Sequence, residues 1–372
     1  MSTTDHRRLV ARSLDVITGN QDAGGGYPAS PAYPVYGFSW FRDGSFIAEA
    51  ASRAGAPGSA TAFHDWCARM VTDRADRVLR VVAAHRGGGR PADRDYLPTR
   101  FTLDGRDPDV AGWGEFQTDG YGTWLWSLTA HLERHGLDPA PYRDAVALVV
   151  DYLAVTWDLP CNDWWEESGD ERHVSTLGAI QGGLAAAARA GLADPEAVGP
   201  VLADAGNLVA EEGTLRGRLT KWLGNDAVDA SLVACLTPFA VTDPYGRVAA
   251  RTLAAVERDL LEPGGGVHRY LDDVFYGGGQ WPVLAGLLGW HHARTGRTAA
   301  ARRQLDWIAA QATPDGLLPE QAVDARLLHP EQLAPWEERW GPVATPLLWS
   351  HAMYVILADA LGIHPTGPTH HP

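Results

Sequence analysis

Apolar residues recur at helical spacing from one end of the chain to the other. Near the start they fall at Leu9, Val10, Leu14 and Ile17, positions that share one face of a helix. Segments in which apolar and polar residues alternate, as they do in a half-buried strand, are scarce. The pattern therefore predicts an all-α protein.

The same periodicity, with start and stop signals, divides the chain into twelve helices. Gly136, Gly191 and Gly362 follow the last apolar residues of their helices, as a helix-ending glycine does. Asp194-Pro195 and Asp243-Pro244 combine a capping acid with a proline in the first turn. The predicted helices lie near residues 6–18, 44–55, 58–86, 118–135, 139–157, 173–190, 194–212, 226–238, 243–261, 278–295, 297–312 and 343–361.

Charge separates these helices into two alternating sets. The odd-numbered ones are rich in charges, as in residues 65–80, whereas the even-numbered ones are nearly free of them, and residues 277–290 and 343–358 hold no Asp, Glu, Lys or Arg. Helices without charges belong inside a protein. Connections are short after each even helix and long after each odd one, so an up-down arrangement gathers the six long connections at one end.

Six hairpins with alternating inner and outer helices describe an (α/α)6 barrel. We call the end formed by the long connections the mouth, and we expect the functional site there, because long connections in compact domains often carry function. We predict a single barrel domain over residues 1–363 and a Pro/His-rich tail over residues 364–372.

Composition narrows the function classes. The 372 residues carry a formal net charge of −15, which disfavours a nucleic-acid or anionic-membrane partner, since both need a basic face. The three cysteines have no metal-ligand spacing, and no metal or organic cofactor is implied. The start of the chain is an amphipathic helix without an apolar signal core, and no segment reaches membrane-spanning length, so we expect a cytoplasmic protein. The sequence leaves the oligomeric state open.

Tryptophan is concentrated where the mouth is predicted. The chain has 15 tryptophans, and several of them fall in long connections rather than in helices. Stacking on the C–H face of a sugar is a natural use for an indole in such a place. These residues are Trp40, Trp113, Trp164, Trp165, Trp222, Trp336 and Trp340, with Trp281 at the start of an inner helix.

The most informative stretch is residues 161–170, Cys-Asn-Asp-Trp-Trp-Glu-Glu-Ser-Gly-Asp, in the third long connection. An indole beside a carboxyl group raises its pKa and keeps it protonated, which suits Glu166 or Glu167 to general acid catalysis of sugar chemistry. Acidic residues ahead of a helix also favour its dipole, and paired tryptophans often only pack, so this stretch alone does not decide between the two readings.

A second carboxylate lies in the sixth long connection. Glu320 stands between Pro319 and Gln321 in a setting poor in charge, and the predicted barrel places it at the same end as Glu166. An exposed loop glutamate usually has no role, and only the pairing gives this one significance. A glycosidase needs such a pair, one acid for the leaving oxygen and one carboxylate that activates water or attacks carbon.

Other long connections supply groups that bind hydroxyls or serve as structural ties. Arg42 and Asp43 end the first, and either they bind neighbouring hydroxyls or Arg42 ties two connections together. In the second, Trp113 can pack and Asp119 can cap the fourth predicted helix. In the fifth, Arg269 binds a hydroxyl pair or satisfies a nearby aspartate.

Taken together, the residues resemble glycoside hydrolase family 15, the glucoamylase and glucodextranase group, over most of the chain. Its catalytic domains are (α/α)6 barrels that hydrolyse α-glucosides from the non-reducing end with inversion. The resemblance implies that Glu166 is the general acid, Glu167 a substrate-binding carboxylate and Glu320 the catalytic base. It also implies that the terminal glucose is bound in a site that includes Arg42, Asp43, Trp40, Trp113, Gln117, Asp119, Trp165, Arg269 and Trp281, with residues 345–352 matching the family's closing helix.

The resulting hypothesis is an inverting, exo-acting hydrolase of a short α-glucoside, a disaccharide or small oligosaccharide, with an α-1,6 bond as in isomaltose. The resemblance also allows α-1,4 and α,α-1,1 bonds. A sugar epimerase on the same barrel would use paired histidines, which the long connections lack, and a phosphorylase would replace Glu320 by a phosphate pocket. A glucan-binding module would not require two opposed acids.

Overall fold

The computed structural model describes residues 1–109 and 113–365, and within them the chain forms fourteen α-helices and two short strand pairs. Strand β1 (Phe38–Trp40) pairs antiparallel with β2 (Arg100–Thr102), and β3 (Thr214–Leu215) pairs with β4 (Arg218–Leu219). The helices are α1 Thr3–Gly19, α2 Phe41–Arg53, α3 Pro57–Thr72, α4 Ala75–Arg86, α5 Asp119–His135, α6 Arg143–Thr156, α7 Val174–Arg189, α8 Pro195–Glu211, α9 Leu232–Leu236, α10 Arg247–Asp259, α11 Pro282–Arg294, α12 Thr298–Ala310, α13 Leu333–Trp340 and α14 Leu348–Ala360.

Six of these helices form a closed inner ring. In the order α2, α5, α7, α9, α11 and α14, each contacts the next, and α14 contacts α2. Helices α1, α3, α8, α10 and α12 pack against the ring from outside, while α6 packs against α3 and α4 as well. The inner helices are those that the sequence predicts to be charge-poor, and the (α/α)6 barrel is confirmed.

Close approach between inner helices depends on small residues. A side chain at Gly183 of α7 would place its Cβ 2.1 Å from the carbonyl oxygen of Gly122 in α5. Only glycine permits the two backbones to approach this closely. In α14, Leu348–Ala358 are all buried, because this helix has other elements on every side. The scarcity of charged residues in the inner helices is therefore a consequence of their burial.

Each long connection precedes an inner helix, so the N-terminal turns of the inner helices point to the mouth. The connections cover residues 20–40, 87–118, 157–173, 212–231, 260–281 and 311–347, and we number them first to sixth. Strands β1 and β2 join the first to the second, with Trp40 opposite Arg100. Residues 110–112 of the second connection lie outside the described residues.

The predicted helix at 58–86 is wrong in one respect, because Asp73 and Arg74 separate α3 from α4. Helix α9 covers five residues, far fewer than the predicted 226–238. The backbone before it is bonded elsewhere, because the Ala227 carbonyl accepts from Lys221 N–H within the fourth connection and Ala230 N–H donates to the Arg269 carbonyl of the fifth. Helix α11 begins four residues after the predicted position, following two glycines with positive φ.

Helix α13, in the sixth connection, is absent from the sequence-based prediction. It covers only eight residues, with proline at residue 335, and is too short to show a periodic pattern of apolar residues. No helix among the described residues is long and apolar enough to cross a membrane. The domain boundary at residue 363 stays a prediction, and of the predicted tail, residues 366–372 lie outside the described residues.

Candidate active site

A cavity of about 490 Å³ opens at the mouth, within the ~300–1,000 Å³ range of small-molecule sites. Five of the six long connections and the first turns of α2 and α14 line it. The lining is dominated by indoles, carboxyl groups and guanidinium groups. These are Trp40, Trp113, Trp164, Trp165, Trp281, Trp336, Trp340 and Trp349; Asp43, Glu166, Glu167 and Glu320; and Arg42, Arg269 and Arg339.

Glu166 reaches the cavity from the third connection through an unusual backbone conformation. Its φ is +67°, in the left-handed region that residues other than glycine rarely adopt. The Trp40 indole N–H donates to Glu166 Oε1 at 2.5 Å, and Arg42 Nη2 lies 3.7 Å from the same oxygen. Burial raises the pKa of Glu166 to about 7, against the opposing effects of the Arg42 charge and the Trp40 hydrogen bond.

Glu320 lines the same cavity from the sixth connection. Its backbone N–H donates to the Ala344 carbonyl at 2.9 Å, and the Ser350 hydroxyl of α14 donates to the Pro319 carbonyl at 2.7 Å, so the start of α14 positions the carboxyl group. The side chain is buried, and its Oε2 has no hydrogen-bond partner among the described residues. Burial raises the pKa of Glu320 to about 8, although the nearby Tyr36 hydroxyl and the Arg269 charge lower it.

Arg42 is held by a cluster of acceptors at the first turns of α2 and α5. It donates to Gln117 Oε1 at 3.0 Å and to Asp119 Oδ2 at 3.1 Å, and its Nε lies 3.3 Å from Asp43 Oδ2. Arg42 and Asp43 line the cavity. Gln117 and Asp119 are fully buried and contact the guanidinium group from behind. The structure thus brings all four predicted residues together, with Arg42 and Asp43 at the cavity and Gln117 and Asp119 behind them.

Arg269 lies in a box of aromatic rings. Its guanidinium carbon is 5.2 Å from the ring centre of Trp165 and 5.1 Å from that of Trp281. It pairs through two hydrogen bonds with the buried Asp273, as the sequence analysis allowed, and Nη2 lies 3.6 Å from Glu167. The aromatic faces and two carboxylates fix the orientation of the guanidinium group.

Trp40 and Trp113 form one wall with Arg100, which the sequence analysis did not identify. The Arg100 guanidinium carbon lies 4.0 Å from the ring centre of Trp113 and 5.2 Å from that of Trp40, and Glu115 pairs with it at 2.9 Å. The pairing of β1 with β2 places these side chains together. Trp40 is thereby held where its N–H meets Glu166.

The sequence of the chain matches the model of the glycosyl hydrolases family 15 over residues 4–281. The chain belongs to this family. It is a glycoside hydrolase, as the sequence analysis predicted.

Similar proteins that are already known include other glycoside hydrolases. An isomaltose glucohydrolase from Kribbella flavida is 53% identical over 96% of this chain and 93% of its own. A solved glycosidase, a glutamate-to-alanine variant in complex with glucose, superposes with a TM-score of 0.94 at 51% identity, covering 98% of each chain. The glucoamylase of Hormoconis resinae has a TM-score of 0.60 at 16% identity, covering 98% of this chain and 74% of its own, and it supports the fold alone.

Arg100 is one of several residues at the hydrolase's site that were not found by sequence reasoning. Tyr36 in the first connection, Arg339 of α13 and Trp349 in α14 also line the cavity. Trp349 lies in a charge-poor inner helix, which the hydrophobic pattern assigns to the core. Trp222, one of the predicted mouth tryptophans, is not part of the lining and packs against His173. In the described part of the chain no cluster of His, Cys, Asp or Glu could hold a metal ion.

Proposed function

We propose that this hydrolase cleaves a short α-glucoside from its non-reducing end with inversion, using Glu166 as general acid and Glu320 as general base. The observation that carries the proposal is the placement of two carboxyl groups in one cavity, Glu166 from the third connection with a side chain 16% exposed and the buried Glu320 from the sixth. These connections precede inner helices that lie three places apart in a ring of six. The two carboxyl groups therefore approach a sugar from opposite sides, as inversion requires.

In the proposed reaction, Glu166 donates its proton to the glycosidic oxygen as the bond from that oxygen to C1 breaks. A water oxygen forms a bond to C1 from the opposite face, and Glu320 accepts one proton of that water. The products are β-glucose and the released sugar. Exchange with solvent then returns the proton to Glu166 and removes it from Glu320.

We assign the binding of the terminal glucose to Arg42, Asp43, Glu167 and Arg269. Asp43 Oδ2 and the indole N–H of Trp281 are buried without a hydrogen-bond partner among residues 1–109 and 113–365, so a sugar hydroxyl can satisfy each of them. The indoles of Trp40, Trp113 and Trp165 present apolar faces to the ring. We assign Gln117 and Asp119 the role of holding Arg42, because they lie behind it.

For the substrate we propose a disaccharide with an α-1,6 bond, acted on in the cytoplasm. The name of the Kribbella flavida relative supports isomaltose. Trp336, Arg339 and Trp340 of α13 line the cavity. We infer that these bulky side chains crowd its rim and leave little room for an extended α-1,4 chain. The flexible α-1,6 bond lets the second glucose turn away from that rim. The three cysteines are buried and unpaired, as a reducing compartment favours.

Comparison of kcat/KM for isomaltose, maltose, trehalose and their longer homologues tests the substrate. We expect isomaltose to exceed maltose and trehalose by on the order of tenfold or more, since one misplaced hydroxyl contact costs about 1–3 kcal/mol. Added glucose units should not raise kcat/KM, because the rim leaves no room for further subsites. A preference for maltotetraose over isomaltose would contradict both the bond and the short cleft.

The role of Arg269 can be separated from its structural contacts. In Arg269→Met, Asp273 stays buried and uncompensated, so we expect lower thermal stability as well as a loss of about 2–5 kcal/mol in transition-state binding. The double variant Arg269→Met/Asp273→Asn removes the unpaired charge. It should regain most of the stability while kcat/KM stays low. Recovery of both together would show that Arg269 is only a structural tie.

A further inference from the structure

Lys221 is the only lysine in the sequence, and the remaining 30 of its 31 basic residues are arginine. It lies in the fourth connection, directly after β4 and its neighbour Thr220. The side chain is only 5% exposed and does not line the cavity. A buried ammonium group in a chain that otherwise uses guanidinium groups suggests that its compact shape matters at this place.

The ammonium group joins three connections. Lys221 Nζ donates to Asp229 Oδ2 at 2.8 Å and lies 3.3 Å from Asp163 Oδ2 in the third connection. It also lies 3.4 Å from the ring centre of Tyr270 in the fifth connection. Both aspartates are nearly fully buried. One buried cation thus lies beside two buried carboxylates and contacts an aromatic face.

Each of these three contacts leads to the residues on either side of Glu166. Asp163 Oδ1 accepts hydrogen bonds from the backbone N–H groups of Trp165 at 2.9 Å and Glu167 at 3.0 Å. Asp229 Oδ2 accepts from the Trp165 indole N–H at 2.9 Å. The Tyr270 hydroxyl donates to the Glu167 carboxylate.

The turn from residue 163 to residue 167 needs this support. Glu166 has a left-handed backbone, which costs free energy in a residue other than glycine and persists only when the surroundings hold it. Asp163 closes the turn, its backbone N–H donating to the Glu167 carbonyl and its carbonyl accepting from Glu166 N–H, both at 3.0 Å. The other oxygen of the Asp163 carboxylate, Oδ2, accepts no hydrogen bond among the described residues, and its cationic neighbour is the ammonium group of Lys221, 3.3 Å away.

We propose that Lys221 is a positioning residue for proton transfer, which holds the 163–167 turn so that the Glu166 carboxyl group points at the glycosidic oxygen. The ammonium group of Lys221 is compact and tetrahedral, so it contacts two aspartates and the Tyr270 ring at the same time. The larger, planar guanidinium group of an arginine would not fit these three contacts together. The inference rests on the proposed role of Glu166 as the acid.

The test compares two substrates with Lys221→Met. Isomaltose needs a proton on its leaving oxygen, whereas α-glucosyl fluoride loses a weakly basic fluoride ion and depends little on the acid. Because misplacement of a catalytic group by about 1 Å can cost on the order of 10²-fold, we expect kcat for isomaltose to fall by about that factor. With α-glucosyl fluoride we expect a fall of less than about fivefold, since attack by water is unaffected.

Lys221→Arg keeps the charge and safeguards folding if Lys221→Met does not fold. We expect it to show the same selective loss, about tenfold for isomaltose, because the guanidinium group displaces the turn. Arg216→Met, which removes an exposed cation from the same connection, should match the wild type on both substrates.

Equal losses on the two substrates, or none, in a folded Lys221 variant would overturn the positioning role. The same assay on Glu166→Gln separates this outcome from a failure of the proposed function. If Glu166→Gln shows the selective loss and the Lys221 variants do not, only the positioning role is wrong. If Glu166→Gln itself shows no selective loss, the assignment of the acid is wrong.

Discussion

Replacing Glu166 by glutamine is expected to lower kcat for isomaltose by on the order of 10³-fold or more, because the amide cannot donate the proton that the leaving oxygen requires. Glutamine keeps an acceptor for the Trp40 indole N–H, so the cavity should stay intact. Activity on α-glucosyl fluoride should fall much less. Steady-state kinetics on the two substrates measures the difference.

The pH dependence of kcat/KM is an independent test of the role of Glu166 as the acid. Activity is lost at high pH when the acid loses its proton and at low pH when the base gains one, so the wild type should show a bell-shaped profile. With pKa values raised to about 7 for Glu166 and about 8 for Glu320, the maximum should lie near pH 7–8, and the productive proton arrangement is a minority state of the pair.

Glu171→Gln, a change of the same kind in the same connection but outside the cavity lining, is the matched control and should leave the profile unchanged. If Glu166→Gln kept isomaltose activity within about tenfold of the wild type, Glu166 could not be the acid.

Replacing Glu320 by glutamine is expected to abolish turnover of both substrates, with losses on the order of 10³-fold, because every substrate needs an activated water. This pattern distinguishes the base from the acid, whose loss spares α-glucosyl fluoride. Asp324→Asn, an exposed change in the same connection, serves as the control. Retained activity on α-glucosyl fluoride would assign the base to another group.

The same variant should be more stable than the wild type at high pH. Burial raises the folded-state pKa of Glu320 from 4.5 to about 8, so the folded protein binds more protons than the unfolded chain between these values and loses stability as pH rises. Glutamine has no charge to bury. The free energy of unfolding of Glu320→Gln should therefore equal that of the wild type near pH 4 and exceed it by about 2–4 kcal/mol near pH 9.

Equal denaturant midpoints of the two proteins at both pH values would show that the Glu320 carboxylate is not costly to ionise. The comparison also measures how much the free energy of unfolding is reduced by burying the functional carboxylate of Glu320.

The barrel and the placement of Glu166 and Glu320 at one cavity were predictable because each depends on a strong local signal. Residues 348–358 of inner helix α14 are all buried, so this stretch had to be free of charge. The alternation of charge and of connection length ordered the helices. Glu166 stands beside two tryptophans, and the connection lengths place Glu320 at the same end. The residue types and the order of elements carry this information without any knowledge of distances.

The residues that hold the site from behind, such as Gln117, Asp119 and Lys221, could not be given these roles from the sequence, because the roles depend on contacts between parts of the chain that are distant in sequence. Nothing in the sequence near Gln117 or Asp119 shows that they lie behind Arg42, since α2 and α5 meet only in the folded barrel. Lys221 gave a compositional signal as the only lysine, yet its partners Asp163 and Tyr270 are tens of residues away in opposite directions. Helix α13 lacks the periodicity that identifies longer helices.

The anomeric configuration of the first product tests the central claim most directly. Proton NMR of freshly mixed enzyme and isomaltose resolves the anomeric signals before mutarotation equilibrates them. If Glu166 and Glu320 act from opposite faces with a water between them, the glucose released from the non-reducing end appears first as the β anomer. Early release of α-glucose in excess of the amount that the reducing end of isomaltose supplies would contradict the account, because it would require retention through a covalent intermediate.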